Sequence, residues 1–253
     1  MRRKLFQGKR SYSSHAKPTL SSILNTLKHA GVGFDVASSG ELGQFYLLAC
    51  WGKDMIMTGP AKPERLLRFA LENKVGAFVI ENTAQLMCLQ ELAKDLWIPT
   101  RRVTKIAATV EWRGKKCCRW VNKTTAFWHG SANPARDIMP KVQLSLLGFQ
   151  VFQWGNILSI YKLRHVWERS MSTCKSLTED FRVLDVGSGF GIPYAAEASL
   201  AWEEVNSLVN ELKDAYNIKE FWLEMGRYLT GPCGIYVTSV VDCKETDGKK
   251  FSY

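Results

Sequence analysis

Short apolar runs recur along this chain, and amphipathic stretches separate them. That rhythm predicts parallel strands joined by crossover helices, because a parallel pair cannot be linked by a tight turn. Strands are read at Ser11–Ala16, Phe34–Ala37, Asp54–Thr58, Gly76–Ile80, Lys105–Val110 and Phe149–Gln153, with two more on either side of a helix over Ala201–Tyr216. Helical patterns occupy Thr19–His29, the stretch opening at Ser38-Ser39-Gly40-Glu41, Pro63–Asn73, Thr83–Asp95, Lys141–Leu147 and Leu158–Thr178. Over Pro63–Asn73, Leu66, Leu67, Ala70 and Leu71 share one face while Glu64, Arg65, Arg68 and Glu72 share the other, the period of an amphipathic helix. Eight strands in βα order predict an α/β fold closed into a (β/α)8, or TIM, barrel, and 253 residues is an ordinary length for one. Glu111–Pro140 carries charges, three Trp and an adjacent Cys pair with no clear period, so this part of the barrel is predicted to be irregular.

The last two strands end in glycine. Arg182-Val183-Leu184-Asp185-Val186 runs into Gly187-Ser188-Gly189-Phe190-Gly191, and Glu220-Phe221-Trp222-Leu223 runs into Glu224-Met225-Gly226-Arg227. Glycine lets backbone N–H groups approach an anion with no Cβ in the way, and Arg227 adds a charged fork. Neighbouring loops of this kind after strands seven and eight are where such barrels hold a phosphate.

Charge and cysteine content narrow the surroundings. The net charge of +10 comes mainly from Met1–Lys17 and Arg101–Lys123, neither of which carries a nucleic-acid-binding motif. Residues 1–10 read as a basic tail, 11–230 as the barrel and 231–253 as the start of a second domain. In that last part Ile235–Asp242 alternates like an antiparallel strand and Asp247-Gly248 is a hairpin signal, so the chain reads as truncated within a β domain. No run of apolar residues is long enough to span a membrane. Seven scattered Cys without CxxC spacing fit reduced thiols in a cytosol and predict no metal site; the pair Cys117-Cys118 lacks a second half-site.

Three motifs carry a family resemblance. Gly33-Phe34-Asp35-Val36-Ala37-Ser38-Ser39-Gly40-Glu41-Leu42, then Leu184-Asp185-Val186-Gly187-Ser188-Gly189-Phe190, then Glu224-Met225-Gly226-Arg227-Tyr228-Leu229 resemble the fold-type III pyridoxal-phosphate decarboxylases, which share an alanine racemase-like barrel. The wording is closest to the diaminopimelate decarboxylase side. The resemblance implies pyridoxal 5′-phosphate (PLP) as cofactor, with Gly187, Ser188 and Gly189 at its phosphate and Gly226 and Arg227 as the second phosphate element. Glu224 would face the pyridine nitrogen, where a carboxylate keeps the ring protonated and able to accept electrons. Asp35 and Glu41 match acids that order the site; they read equally as a strand-end acid and a helix-start acid.

The departures from the family pattern are specific. The Schiff-base lysine of a Tyr-x-x-Lys-Ala-Asn-Pro motif falls at Tyr12-Ser13-Ser14-His15-Ala16-Lys17-Pro18, where the ungapped match is His15 and the candidate amine is Lys17. Where the family places a His against the ring, the sequence reads Phe152-Gln153-Trp154-Gly155-Asn156, with Gln153 matched to that His. The implied activity is loss of the α-carboxylate of a small basic or dicarboxylic amino acid as CO2, in polyamine or lysine synthesis. The alternative is a non-catalytic relative or fragment that acts by binding a partner. A homodimer, or pairing with an intact family member, is implied as the assembly.

Overall fold

The computed structural model describes residues 9–14, 20–48, 52–98, 106–109, 144, 146–152, 154–187, 189–235 and 237–252, with Lys9–Ser14 and Ile106–Thr109 as backbone alone. Eight parallel strands close into a barrel in sequence order: β1 (Lys9–Ser14), β2 (Gly33–Val36), β3 (Met55–Met57), β4 (Ala77–Ile80), β5 (Ile106–Thr109), β6 (Leu146–Gln150), β7 (Val183–Asp185) and β8 (Glu220–Glu224). The ring closes where β1 pairs with both β2 and β8, Tyr12 lying opposite Gly33 on one side and Glu224 on the other. Outside it lie α1 (Ser21–His29), α2 (Ser39–Leu47), α3 (Glu64–Glu72), α4 (Thr83–Asp95), α5 (Ile160–Leu177) and α6 (Trp202–Ala215), and a short α7 (Gly226–Thr230) follows β8.

Period-two alternation sorts each strand. Phe34, Met55, Met57, Phe78 and Ile80 face outward onto α1–α4, among Leu24, Leu42, Phe45, Leu67 and Leu89. On the other side Phe149, Leu184, Phe221 and Leu223 pack with Leu163, Trp167 and Leu208. A small inner cluster of Ile56, Ala77, Leu147, Val183 and Trp222 fills the barrel floor. Leu147 joins it through a register irregularity: Ile106 pairs with Leu146 and Ala107 with Gly148, so Leu147 is passed over and turned inward. Gly148 is where β6 meets β7 most closely; a Cβ there would run into the Val183 carbonyl.

The helix starts follow from local chemistry. Ser38 accepts the Glu41 N–H at 3.2 Å to cap α2, and Asn82 accepts the Gln85 N–H at 2.9 Å to cap α4. Three expectations are corrected. Lys9 and Arg10 are strand residues paired with Phe221 and Trp222, so the basic tail does not extend to residue 10. Strand six is Leu146–Gln150, overlapping the expected helix Lys141–Leu147, because an apolar run of this length fits either element. The antiparallel strands are Cys243–Thr246 (β9) and Lys249–Ser252 (β10), joined at Asp247-Gly248, and the alternating segment before them forms no strand among its described residues. Both turn residues have positive φ, 52° and 68°, as a tight hairpin of primed type requires. The irregular segment 111–140 lies outside the described residues.

Candidate active site

The C-terminal ends of β2, β6, β7 and β8 converge on a cluster of carboxyls. Asp35 in β2 is buried and accepts a hydrogen bond from Thr58 Oγ1, just past β3. Asp185 ends β7 and is 1% exposed. Its Oδ1 accepts the Gly187 N–H at 2.9 Å, while its Oδ2 is buried with no hydrogen-bond partner among the described residues. Glu224 ends β8; its Oε1 accepts from Gln150 Nε2 at 2.6 Å, and its backbone N–H donates to the Gly187 carbonyl. The flanking residues Leu184, Val186, Leu223 and Met225 all sit in the outer shell, so alternation turns both acids inward.

Their proximity sets their protonation. Burial pushes Asp185 up to about 8; the Gly187 hydrogen bond opposes this and Asp35 adds to it. Glu224 is held well above the usual carboxylate range by burial first, then by Asp185 and Asp35, with the Gln150 hydrogen bond pulling the other way. Near neutral pH the trio therefore carries fewer than three negative charges, and an entering cation would favour its ionised forms.

A buried cation stands behind Asp35. Lys62, in the loop after β3, donates to the Gly59 carbonyl, lies 3.4 Å from Gln85 Oε1 and pairs with Glu81 at 3.6 Å. Burial lowers its pKa, and Glu81 and then Asp35 counter that. Gln85 also accepts the Glu81 N–H at 3.0 Å and donates to the Pro60 carbonyl at 2.9 Å, so the network ties two βα loops together.

Beyond β7, Gly187 and Gly189 take φ of 67° and 74°, a region closed to most side chains. The loop is stitched to the segment after β6: the Ile157 N–H donates to the Gly189 carbonyl at 2.7 Å, and the Gly191 N–H to the Ile157 carbonyl at 2.9 Å. A Cβ on Gly187 would lie 2.5 Å from Phe152 Cδ2, so the Phe152 ring rests directly on that glycine. Arg227, exposed in α7 next to Gly226, places its guanidinium 5.8 Å from the Tyr194 ring centroid.

Of the sequence-predicted residues, Asp35 and Glu224 share the carboxyl cluster, and Gly187 joins it through its two backbone hydrogen bonds. Glu41 does not: its Oε2 accepts the Ala37 N–H at 2.7 Å, so it serves the start of α2. Lys17, His15, Gln153 and Ser188 lie outside the described residues; β1 ends at Ser14, opposite Asp35. Asp185, Gln150, Lys62 and Phe152 had no assigned role in the sequence. Asp185 stood two residues before the first glycine, a spacing that signals an acid bonded to its own turn. Lys62 left no such signal.

Comparison with known proteins gives the family. The model of the pyridoxal-dependent decarboxylases' pyridoxal binding domain matches residues 1–231. Diaminopimelate decarboxylase of Bacillus subtilis is 24% identical over 265 residues, covering 95% of this chain and 59% of the relative. Lysine/ornithine decarboxylase of Selenomonas ruminantium is 28% identical over 258 residues, covering 96% and 61%. Among solved structures, diaminopimelate decarboxylase from Helicobacter pylori complexed with L-lysine superposes with a TM-score of 0.76 at 17% identity, covering 99% of this chain and 65% of that one. AQ1208 from Aquifex aeolicus gives 0.74 at 24% identity, covering 99% and 60%. The chain thus spans about 60% of the length of the relatives it matches. With a glycine loop after β7, an acid at the end of β8, an arginine just past it, and a family match running the full length of the barrel, the chain belongs to the pyridoxal-dependent decarboxylases, in their pyridoxal binding domain.

Proposed function

We propose that this barrel holds PLP for the decarboxylation of a small basic or dicarboxylic amino acid, in the manner of the diaminopimelate decarboxylases. The observation that carries the reading is the inward carboxyl pair Asp185 and Glu224 beside a glycine loop with left-handed backbone. The residues fit the cofactor at both ends. Gly187, Ser188 and Gly189 with Gly226 and Arg227 suit a phosphate dianion. Asp185 Oδ2, buried and without a hydrogen-bond partner among the described residues, and the raised pKa values of Asp185 and Glu224 suit a cationic ring.

PLP, when bound, supplies the electron sink for the pair left behind as CO2 departs. Glu224 in its anionic form would hold a proton at the ring nitrogen, with Gln150 fixing that carboxylate. Asp35 and Asp185 set how readily Glu224 ionises. Lys17 is the amine assigned to covalent attachment; His15, an imidazole, cannot make that link. Assembly as a pair of chains is supported by the exposed apolar residues Ile235, Val237, Val240 and Val241.

The test is to add PLP to the purified chain, reduce with borohydride and map pyridoxyl-peptides by mass spectrometry. The expected result is a label on Lys17 and retention lost in Arg227→Ala. A chain that retains no PLP, covalently or reversibly, overturns the reading.

A further inference from the structure

Two consecutive residues of α7 meet the loop that follows β7. Tyr228 packs edge-on against the buried Phe190, ring centroids 5.6 Å apart, and Phe190 in turn lies against Trp167 and Trp202. Arg227, in the open, meets Tyr194, its guanidinium 5.8 Å from the ring centroid. The same two segments close up at Gly231, where a Cβ would come 2.6 Å from Ile192 Cδ1 and 3.8 Å from Arg227 Cγ. The loop that carries Tyr194 is itself tied down. Glu197 Oε2 accepts the Tyr194 and Ala195 N–H groups, each at 3.1 Å, and Asn156 Oδ1 accepts the Ile192 N–H at 3.1 Å. Tyr194 thus offers a ring on a fixed backbone. Arg227 is the reverse, a long side chain whose charge forms no ion pair among the described residues.

We propose that Tyr194 is a positioning residue for Arg227, its ring holding the guanidinium against the loop that begins at Gly187 and so joining the two phosphate elements into one grip. The inference rests on the PLP reading above and adds a residue that acts through the arginine. A free arginine side chain loses rotamer freedom when it closes on a phosphate, and that loss weakens binding. A guanidinium already restrained by a ring has less to lose. Cation and ring attract through the ring's quadrupole within about 6 Å of the centroid, so the attraction needs the aromatic face and not the phenol hydroxyl. Stacking also occupies the face of the guanidinium and leaves its in-plane N–H donors for the phosphate oxygens. Glu197 contributes at one remove, since its carboxylate fixes the backbone from which the ring projects.

The experiment is a titration of the full chain with pyridoxine 5′-phosphate, which carries the ring and the phosphate but no aldehyde. Reversible binding is then read by tryptophan quenching, without covalent attachment or turnover. The variants are Tyr194→Phe, Tyr194→Leu, Arg227→Ala and Tyr194→Leu combined with Arg227→Ala, with melting temperatures recorded for each. Tyr194→Leu is expected to weaken binding about threefold, while Tyr194→Phe binds as the parent does. In the Arg227→Ala background, Tyr194→Leu is expected to cost nothing more. Tyr194→Leu binding as well as the parent, or Tyr194→Phe losing as much as Tyr194→Leu, would overturn the proposal. So would an equal loss with and without Arg227, which marks a merely structural role. Failure of the underlying reading looks different: the parent itself binds no phosphate ester, or Arg227→Ala binds it as the parent does.

Discussion

Gln150 Nε2 lies 2.6 Å from Glu224 Oε1, joining β6 to β8 across the end of β7. The bond favours the carboxylate against burial and against two neighbouring acids. Replacing Gln150 by Leu removes it and raises the Glu224 pKa further. The pH above which the chain retains PLP should therefore move upward by about one unit. A PLP titration repeated across the pH range measures this; an unmoved midpoint would show that Glu224 does not govern retention.

Asp185 makes stability depend on pH in a defined direction. Its pKa rises from an ordinary 3.8 to about 8 on folding, facing Asp35 and Glu224. Between those values the folded chain binds more protons than the unfolded one, so stability falls as pH rises through the window and is greatest below it. Asp185→Asn keeps an oxygen for the Gly187 N–H but does not titrate. Its melting temperature should vary less with pH, and its advantage over the parent should grow toward alkaline pH. Parallel melting curves at every pH would refute this.

Lys62 and Glu81 illustrate the cost of breaking a buried pair. Lys62→Met leaves Glu81 without its cation and should cost roughly 3 kcal/mol in denaturant unfolding. Adding Glu81→Gln should recover much of that loss, because only Asp35, which feels Lys62 more weakly than Glu81 does, then lacks the cation. Equal losses in the single and double variants would mean that packing around Lys62, and not charge, is what matters.

Gly148 permits the β6–β7 pairing by having no side chain. Gly148→Ala drives a methyl into the Val183 backbone, with no flexible atom to yield. The expected loss exceeds about 3 kcal/mol, enough to threaten folding altogether. A well-folded Gly148→Ala with unchanged melting would contradict the observed register.

Much of the barrel is legible in the order of its residues. Strands such as Ala77–Ile80 and helices such as Thr83–Asp95 announce themselves because a buried strand is apolar throughout and a capped helix begins with Asn82 or Ser38. The glycine loop is equally legible as a turn, since Gly187 and Gly189 both take positive φ where the chain leaves β7. Strand six is not, because Leu144 to Val151 is apolar enough for either element and only its neighbours β5 and β7 decide. Glu41 shows the limit for sites: an acid three residues after a serine fits a helix cap and a binding pocket alike, and the hydrogen bond to Ala37 settles its local role. Lys62 and Phe152 acquire meaning only from what the closed barrel sets beside them.

The β9–β10 ribbon has two strands and therefore two outer edges, and all its residues are exposed. Unpaired backbone donors and acceptors along such an edge accept a further strand from any extended chain that reaches them. Lys244, Lys249 and Lys250, set against Glu245 and Asp247, leave the ribbon a net charge of +1 and only a slight bias toward acidic segments. Among the described residues the ribbon is thus a template for strand addition, the kind of edge that folded proteins usually cover.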